Sequence, residues 1–147
     1  MQEEILVLGY GPVGRATVAA LLAGGGNVRV AQRSRPADLP PCVAFTRCDV
    51  LDPASVAAAL AGAAQVVVTI GLPYDGAVWL RDWPRAMTNL LDGCAATDAR
   101  MVFVDNLYMY GPQTAPLTED MPLLNHGRKP AARTAVTQLW QAARHRV

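Results

Sequence analysis

Long apolar runs, paired cysteines and an excess of charge are all missing from this chain, and each absence removes a class of protein. Of its 147 residues, 52% are hydrophobic and 17% charged, a balance typical of globular rather than disordered chains. No apolar run reaches the roughly 20 residues that a membrane-spanning helix needs. The nearest, VAAALAGAAQVVVTIGL, is broken by Gly and Gln and reads as a helix followed by a strand. The three cysteines, Cys42, Cys48 and Cys94, are scattered and form no CxxC pair. That argues against a zinc site or a disulfide scaffold and for reduced thiols in a cytoplasm. A formal net charge of +1 supplies no basic field for nucleic acid or an anionic membrane. Met1 leads straight into a strand pattern through Glu3 and Glu4, so no signal peptide is expected. The length suits one domain with a proper core.

What is present is alternation. EILVLG (4–9), NVRVAQ (27–32), VAFTRCD (43–49), QVVVTIG (65–71) and RMVFVD (100–105) read as five strands. Between them fall helical runs: 12–25, ended by a Gly triplet; 52–62, opened by Asp52 as cap and Pro53; and 77–98, bent or restarted around Pro84. A last helix covers 132–146. Strand–helix alternation predicts a three-layer, doubly wound α/β fold with a parallel sheet. The continuous apolar run of the fourth strand fits burial on both faces.

GYGPVG places Gly9, Gly11 and Gly14 in a GxGxxG between the first strand and the first helix. In that context the first glycine makes the turn, the second admits a pyrophosphate to the backbone, and the third lets helix and strand pack closely. Pro12 and Val13 open the helix whose free N–H groups and dipole favour an anion. The second strand ends in Gln32-Arg33-Ser34-Arg35, where an NAD-binding protein would offer an acid to the ribose. A guanidinium at Arg33 or Arg35 pairs with a 2′-phosphate, so the stretch favours NADP(H), with NAD as the alternative. Asp49 and Val50 close the third strand and could meet the adenine amino group and ring; the alternative is a turn or capping aspartate. Gly71 would leave room for the cofactor at the end of the fourth strand.

GYGPVG, CDVLD, VVVTIG, NLLDGCAATDARMVFVD, and YGP followed by PLTEDMP together resemble the short-chain dehydrogenase/reductase superfamily, in its extended or atypical NAD(P)-dependent epimerase/dehydratase branch, over essentially the whole chain. The resemblance implies a Rossmann-type NAD(P)-binding domain over residues 1–147, truncated before the family's C-terminal substrate lobe. The family reads SSxxVYG, then PxxE, then YxxxK. In register, Asn106 occupies the substrate-polarising position, Tyr110 the YG tyrosine, and Glu119 the neighbourhood of the PxxE glutamate. Tyr108 is a further candidate beside them. No tyrosine stands four residues before the single lysine, Lys129; instead Lys129 and Arg133 have the spacing of the missing pair. Lys129 could serve as a base, Lys129 or Arg133 as an anion or cofactor contact, or both as a solvated helix start. The resemblance also implies a homodimer through helices near 79–98 and 131–146, whose stripes Trp79, Trp83, Met87 and Val136, Leu139, Trp140 are apolar at helical spacing. Two functions follow. One is an NAD(P)-dependent epimerase, dehydratase or reductase acting on a small carbonyl or sugar-like substrate. The other is a dinucleotide-binding sensor or scaffold without turnover.

Overall fold

The computed structural model describes residues 3–147, so Met1 and the expectation attached to it lie outside the described residues. Five strands, β1 (Glu4–Leu8), β2 (Asn27–Gln32), β3 (Ala44–Arg47), β4 (Ala63–Val68) and β5 (Arg100–Phe103), form one parallel sheet in the order β3-β2-β1-β4-β5. The helices are α1 (Pro12–Ala23), α2 (Pro53–Leu60), α3 (Gly76–Thr97) and α4 (Arg128–Ala143), with a short 3-10 turn at Tyr108–Tyr110. This is the expected three-layer doubly wound arrangement. The strand order reverses direction between β1 and β4, where open sheets of this type bind ligands.

Register explains the layers. Val7 aligns with Val30 and Val67, and Leu8 with Ala31 and Val68, so alternate residues face opposite helices. Val7, Val28 and Val30 pack with Val18, Leu39 and Val43 under α1. Leu6, Leu8, Val66 and Val68 pack with Val56, Leu60, Leu90 and Cys94 under α2 and α3. On the α1 side the outer part of the sheet is less covered, and Val102 and Val104 are exposed.

Several boundaries differ from the sequence pattern for local reasons. β4 runs over 63–68 rather than 65–71, because Gly62, at φ 80°, turns the chain into the strand and Thr69–Gly71 leave the sheet. α3 passes through Pro84 as one helix, without a restart. α4 begins at Arg128, earlier than the expected 132, because Pro130 sits in the first turn, where its missing N–H has no helical partner to lose. α2 matches its expected cap: the Asp52 side chain accepts from the Ala54 N–H.

The apolar stripes of α3 and α4 meet each other. Trp79, Trp83, Met87 and Leu91 pack against Ala132, Val136 and Ala143, with Leu139 and Trp140 at the margin. Trp79 is 6% exposed and Trp83 is 3% exposed. The two helices of one chain thus hide Trp79 and Trp83 between them, while Trp140 stays half-buried at the margin.

Candidate functional site

The glycine turn after β1 is built as the sequence requires. Gly9 has φ 99°, and a Cβ there would press on the backbone of Thr69 and Ile70 at 3.0 Å. At Gly14 a Cβ would collide with the Gly9 carbonyl, so the start of α1 can lie directly on the turn. Gly11 and Gly71 differ from these, because a Cβ at either would meet nothing within 4 Å. Both line an open cavity of about 270 Å³, and their missing side chains leave space for a ligand rather than for the protein.

That cavity lies at the carboxyl ends of the strands. Its walls come from the turn Leu8–Gly11, from Gln32, Arg33 and Ser34 after β2, from Cys48 to Leu51 after β3, and from Thr69 to Leu72 after β4. Thr69 ties two of these segments together: its N–H donates to the Leu8 carbonyl at 2.8 Å and its hydroxyl to the Gly9 carbonyl at 3.0 Å. Gln32 ties a third, accepting from the Tyr10 N–H at 3.0 Å and donating to the Ser34 carbonyl at 2.8 Å. Asp75 accepts from two N–H groups in the first turn of α3, and Asp52 from one in α2, whereas α1 has no side-chain cap and no acid in its first turn. The N–H groups of Val13 and Gly14 are thus available to an anion at the cavity's edge.

The structure brings Gly9, Gly11, Arg33, Asp49, Val50 and Gly71 together around this cavity, with Pro12, Val13 and Gly14 opening the helix beside it. Asp49 also takes the turn role, since one carboxylate oxygen accepts from the Leu51 N–H at 3.0 Å. Arg35 lies outside the cavity walls, its guanidinium 5.7 Å from the Phe45 ring. Arg133 is placed elsewhere altogether. It is 1% exposed, ion-paired to Asp105, and its guanidinium lies 4.3 Å from the Trp83 ring and 5.3 Å from that of Phe103. Sequence spacing had offered it as a cofactor contact, but five residues into α4 it points into the α3–α4 core. Several residues missed in the sequence complete the walls, notably Thr69, Ile70 and Leu72; their only signal was proximity to Gly71. Arg15, in the first turn of α1, was missed too; it pairs with Asp38 beside the Tyr10 ring.

The second group of candidates gathers beyond β5. The Asn106 side chain accepts from the Tyr108 N–H at 3.2 Å, so its carbonyl is engaged in the loop's own turn. Tyr110 is half-buried, and its carbonyl accepts from the Gln113 amide. The loop that follows is fastened by Leu124, whose N–H donates to the Met109 carbonyl at 2.8 Å and whose carbonyl accepts from Thr134 at 2.7 Å; Glu119 and Asp120 are exposed on it. Tyr108 and Lys129 both converge on Tyr74, a residue of the β4–α3 loop. The Tyr74 and Tyr108 hydroxyls share a hydrogen bond of 2.7 Å, and the Lys129 ammonium sits 2.8 Å from the Tyr74 ring centroid. The hydrogen bond with Tyr108, and then Lys129, hold the Tyr74 phenol below the ordinary tyrosine range, while the bond to Tyr74 pushes Tyr108 up.

A family described as NAD(P)H-binding matches residues 9–139, which takes in the glycine turn from Gly9 onward, the other walls of the cavity and most of α4. The chain belongs to this family. No curated protein sequence matches it significantly. Among solved structures, it is similar to a short-chain dehydrogenase/reductase superfamily protein from Agrobacterium tumefaciens with bound NAD: 27% identity, TM-score 0.82, covering 95% of this chain and 44% of that one. It also superposes on a Thermus thermophilus UDP-glucose 4-epimerase in complex with NAD, at 22% identity and TM-score 0.79, covering 95% of this chain and 50% of the other. Uronate dehydrogenase from Agrobacterium tumefaciens complexed with NAD gives 24% identity and TM-score 0.77, covering 97% and 56%. The chain therefore spans about half the length of these proteins. A family member with this cavity binds a nicotinamide dinucleotide, and among the described residues no helix is long and apolar enough to cross a membrane.

Proposed function

We propose that the chain is the NADP(H)-binding part of an oxidoreductase-type enzyme of the epimerase, dehydratase or reductase kind, acting on a carbonyl or sugar-like small molecule. The observation that carries this reading is the cavity itself. Gly11 and Gly71 open onto it, the uncapped start of α1 stands at its edge, and no acid occupies the end of β2. The pyrophosphate would rest against Gly11 and the N–H groups of Val13 and Gly14. Asp49 and Val50 would flank the adenine. Gln32 fills the position of a ribose-binding carboxylate with an amide already engaged, which leaves Arg33, exposed on the wall, as the cation for a 2′-phosphate. When bound, the dinucleotide supplies hydride transfer. The protein's part is to orient it and to manage the accompanying proton.

The second reading, a dinucleotide sensor without turnover, draws on the missing YxxxK spacing and on the engaged Asn106 amide. A homodimer through the outer faces of α3 and α4 and a cytoplasmic location complete the proposal. The dimer gains nothing from Trp79 and Trp83, which are spent inside the chain. Isothermal titration with NADP(H) and NAD(H) tests the reading. Binding with NADP(H) the tighter of the two is expected. Failure of both to bind would remove both functions, and tighter NAD(H) binding would overturn the role given to Arg33. Turnover of a carbonyl panel with NADPH separates enzyme from sensor.

A further inference from the structure

The YxxxK spacing is absent from the sequence, yet the fold assembles a phenol, an ammonium and a second phenol from three distant segments. Tyr74 comes from the loop after β4, two residues beyond Leu72 in the cavity wall. Tyr108 comes from the 3-10 turn after β5, and Lys129 from the first turn of α4. All three stand at the carboxyl end of the sheet, on the side of the cavity away from β2 and β3.

Their positions are fixed by packing. Trp79, 6% exposed, meets the Tyr74 ring edge-on at 5.7 Å and the Tyr108 ring at 5.4 Å, while its indole N–H donates to the Pro73 carbonyl at 2.9 Å. The other charged groups of this corner are Asp75, Arg128 and, on the Trp79 ring, Arg133, which is paired with Asp105. The Asp75 carboxylate is committed to the Ala77 and Val78 N–H groups, and Arg128 packs against Gly76. Lys129 is therefore the cation aimed at the phenol, and the Tyr74 hydroxyl is open to solvent, with the residue 69% exposed. A phenol ordinarily holds its proton until about pH 10, and an adjacent ammonium and a donated hydrogen bond both favour its anion. That is what proton exchange near neutral pH requires of a phenol.

We propose that Tyr74 is the acid/base group of this site, its phenol oxygen exchanging a proton with a substrate hydroxyl or carbonyl oxygen while Lys129 and Tyr108 hold the phenolate. From alcohol towards carbonyl, the substrate O–H bond breaks and its proton bonds to the Tyr74 phenolate oxygen, while the freed electron pair closes the C=O bond as the hydride on that carbon would pass to NADP⁺; the opposite direction returns both. The assignment rests on the dinucleotide-binding reading above and adds the residue that handles the proton.

The test is ring-carbon NMR of the full chain labelled with ¹³C at the tyrosine hydroxyl carbon, titrated with pH alone, with NADP⁺ and with NADPH. One resonance, missing in Tyr74→Phe, should ionise below the other tyrosines. Its midpoint should rise in Lys129→Met and in Tyr108→Phe and return towards the wild-type value in Lys129→Arg, which keeps the charge. Saturating NADP⁺, whose nicotinamide ring is cationic, should lower it further, and NADPH, whose ring is neutral, should not. A stack serving only structure would ignore that difference. Titration of Tyr74 together with the other tyrosines, an unchanged midpoint in Lys129→Met, or indifference to bound NADP⁺ would each overturn the assignment and leave dinucleotide binding intact. Absence of dinucleotide binding by calorimetry would instead remove the functional reading beneath it, and the assignment with it.

Discussion

Replacing Asp105 with alanine is expected to cost this fold a large part of its stability, although Asp105 belongs to neither the glycine turn nor the cavity. Its carboxylate accepts from the Asn106 N–H at 2.7 Å and pairs with Arg133. The Arg133 side chain is 1% exposed, and its Nε and one terminal nitrogen have no hydrogen-bond partner among the described residues. In Asp105→Ala the guanidinium keeps the faces of Trp83, Phe103 and, at 6.0 Å, Trp79, an attraction it already has in the wild type and which therefore offsets nothing. Breaking one side of a buried ion pair costs about 3–5 kcal/mol. The lower end is expected here, since the Asp105 side chain is 21% exposed and water can reach the gap from that side. Against a total stability of roughly 5–15 kcal/mol for a single domain, that is a fifth or more. Urea unfolding followed by tryptophan fluorescence reads it directly, because Trp83 lies against the guanidinium. The double variant Asp105→Asn with Arg133→Met, which removes both charges, should be less destabilised than Asp105→Ala alone. A loss within about 0.5 kcal/mol, as for an ordinary surface substitution, would refute the reasoning.

The two inner glycines of the turn separate stability from binding. Gly14→Ala should lower the melting temperature because its Cβ meets the Gly9 backbone, whereas Gly11→Ala should leave melting unchanged and weaken dinucleotide binding at least tenfold, read by calorimetry. Arg33→Glu should reduce the preference for NADPH over NADH by about two orders of magnitude, the loss of a charge-assisted pair plus a repulsion; unchanged relative affinities would place the 2′-phosphate elsewhere. Burial pushes the Cys48 and Cys94 thiols up to about 11, while Cys42 is exposed. A thiol reagent at pH 8 should therefore modify one equivalent per native chain and three after unfolding.

The fold was legible because its signals are local. Strand periodicity, the Gly triplet after α1 and the Asp52-Pro53 start of α2 each act within a few residues, and the glycine turn announces its own ligand. The ends of β4 and α4 were less legible, because Pro130 marks a loop in most contexts and a first helical turn in this one. The site beyond β5 could not be read from spacing. Tyr74 and Tyr108 are brought together by adjacent parallel strands, 34 residues apart, and a search for lysine four positions after each tyrosine passes over such a pair. Arg133 misled for a related reason. Its charge signalled solvent or ligand, whereas its place on the helix face shared with Ala132 and Val136 signalled burial, and the Asp105 partner that reconciles the two lies on another element. The cover over Trp79 and Trp83 was not legible either, because sequence shows how much apolar surface a helix carries and not which neighbour covers it.

The fastenings made by Thr69 and Gln32 have a thermodynamic consequence. Thr69 staples the end of β4 to the glycine turn, and Gln32 staples the loop after β2 to the same turn through Tyr10, so three walls of the cavity form one body before any ligand arrives. A dinucleotide then pays mainly for its own loss of freedom, with little owed for ordering loops, and such preorganisation raises affinity without any added contact. The amide of Thr69 should accordingly exchange with deuterium as slowly in the free chain as in the complex.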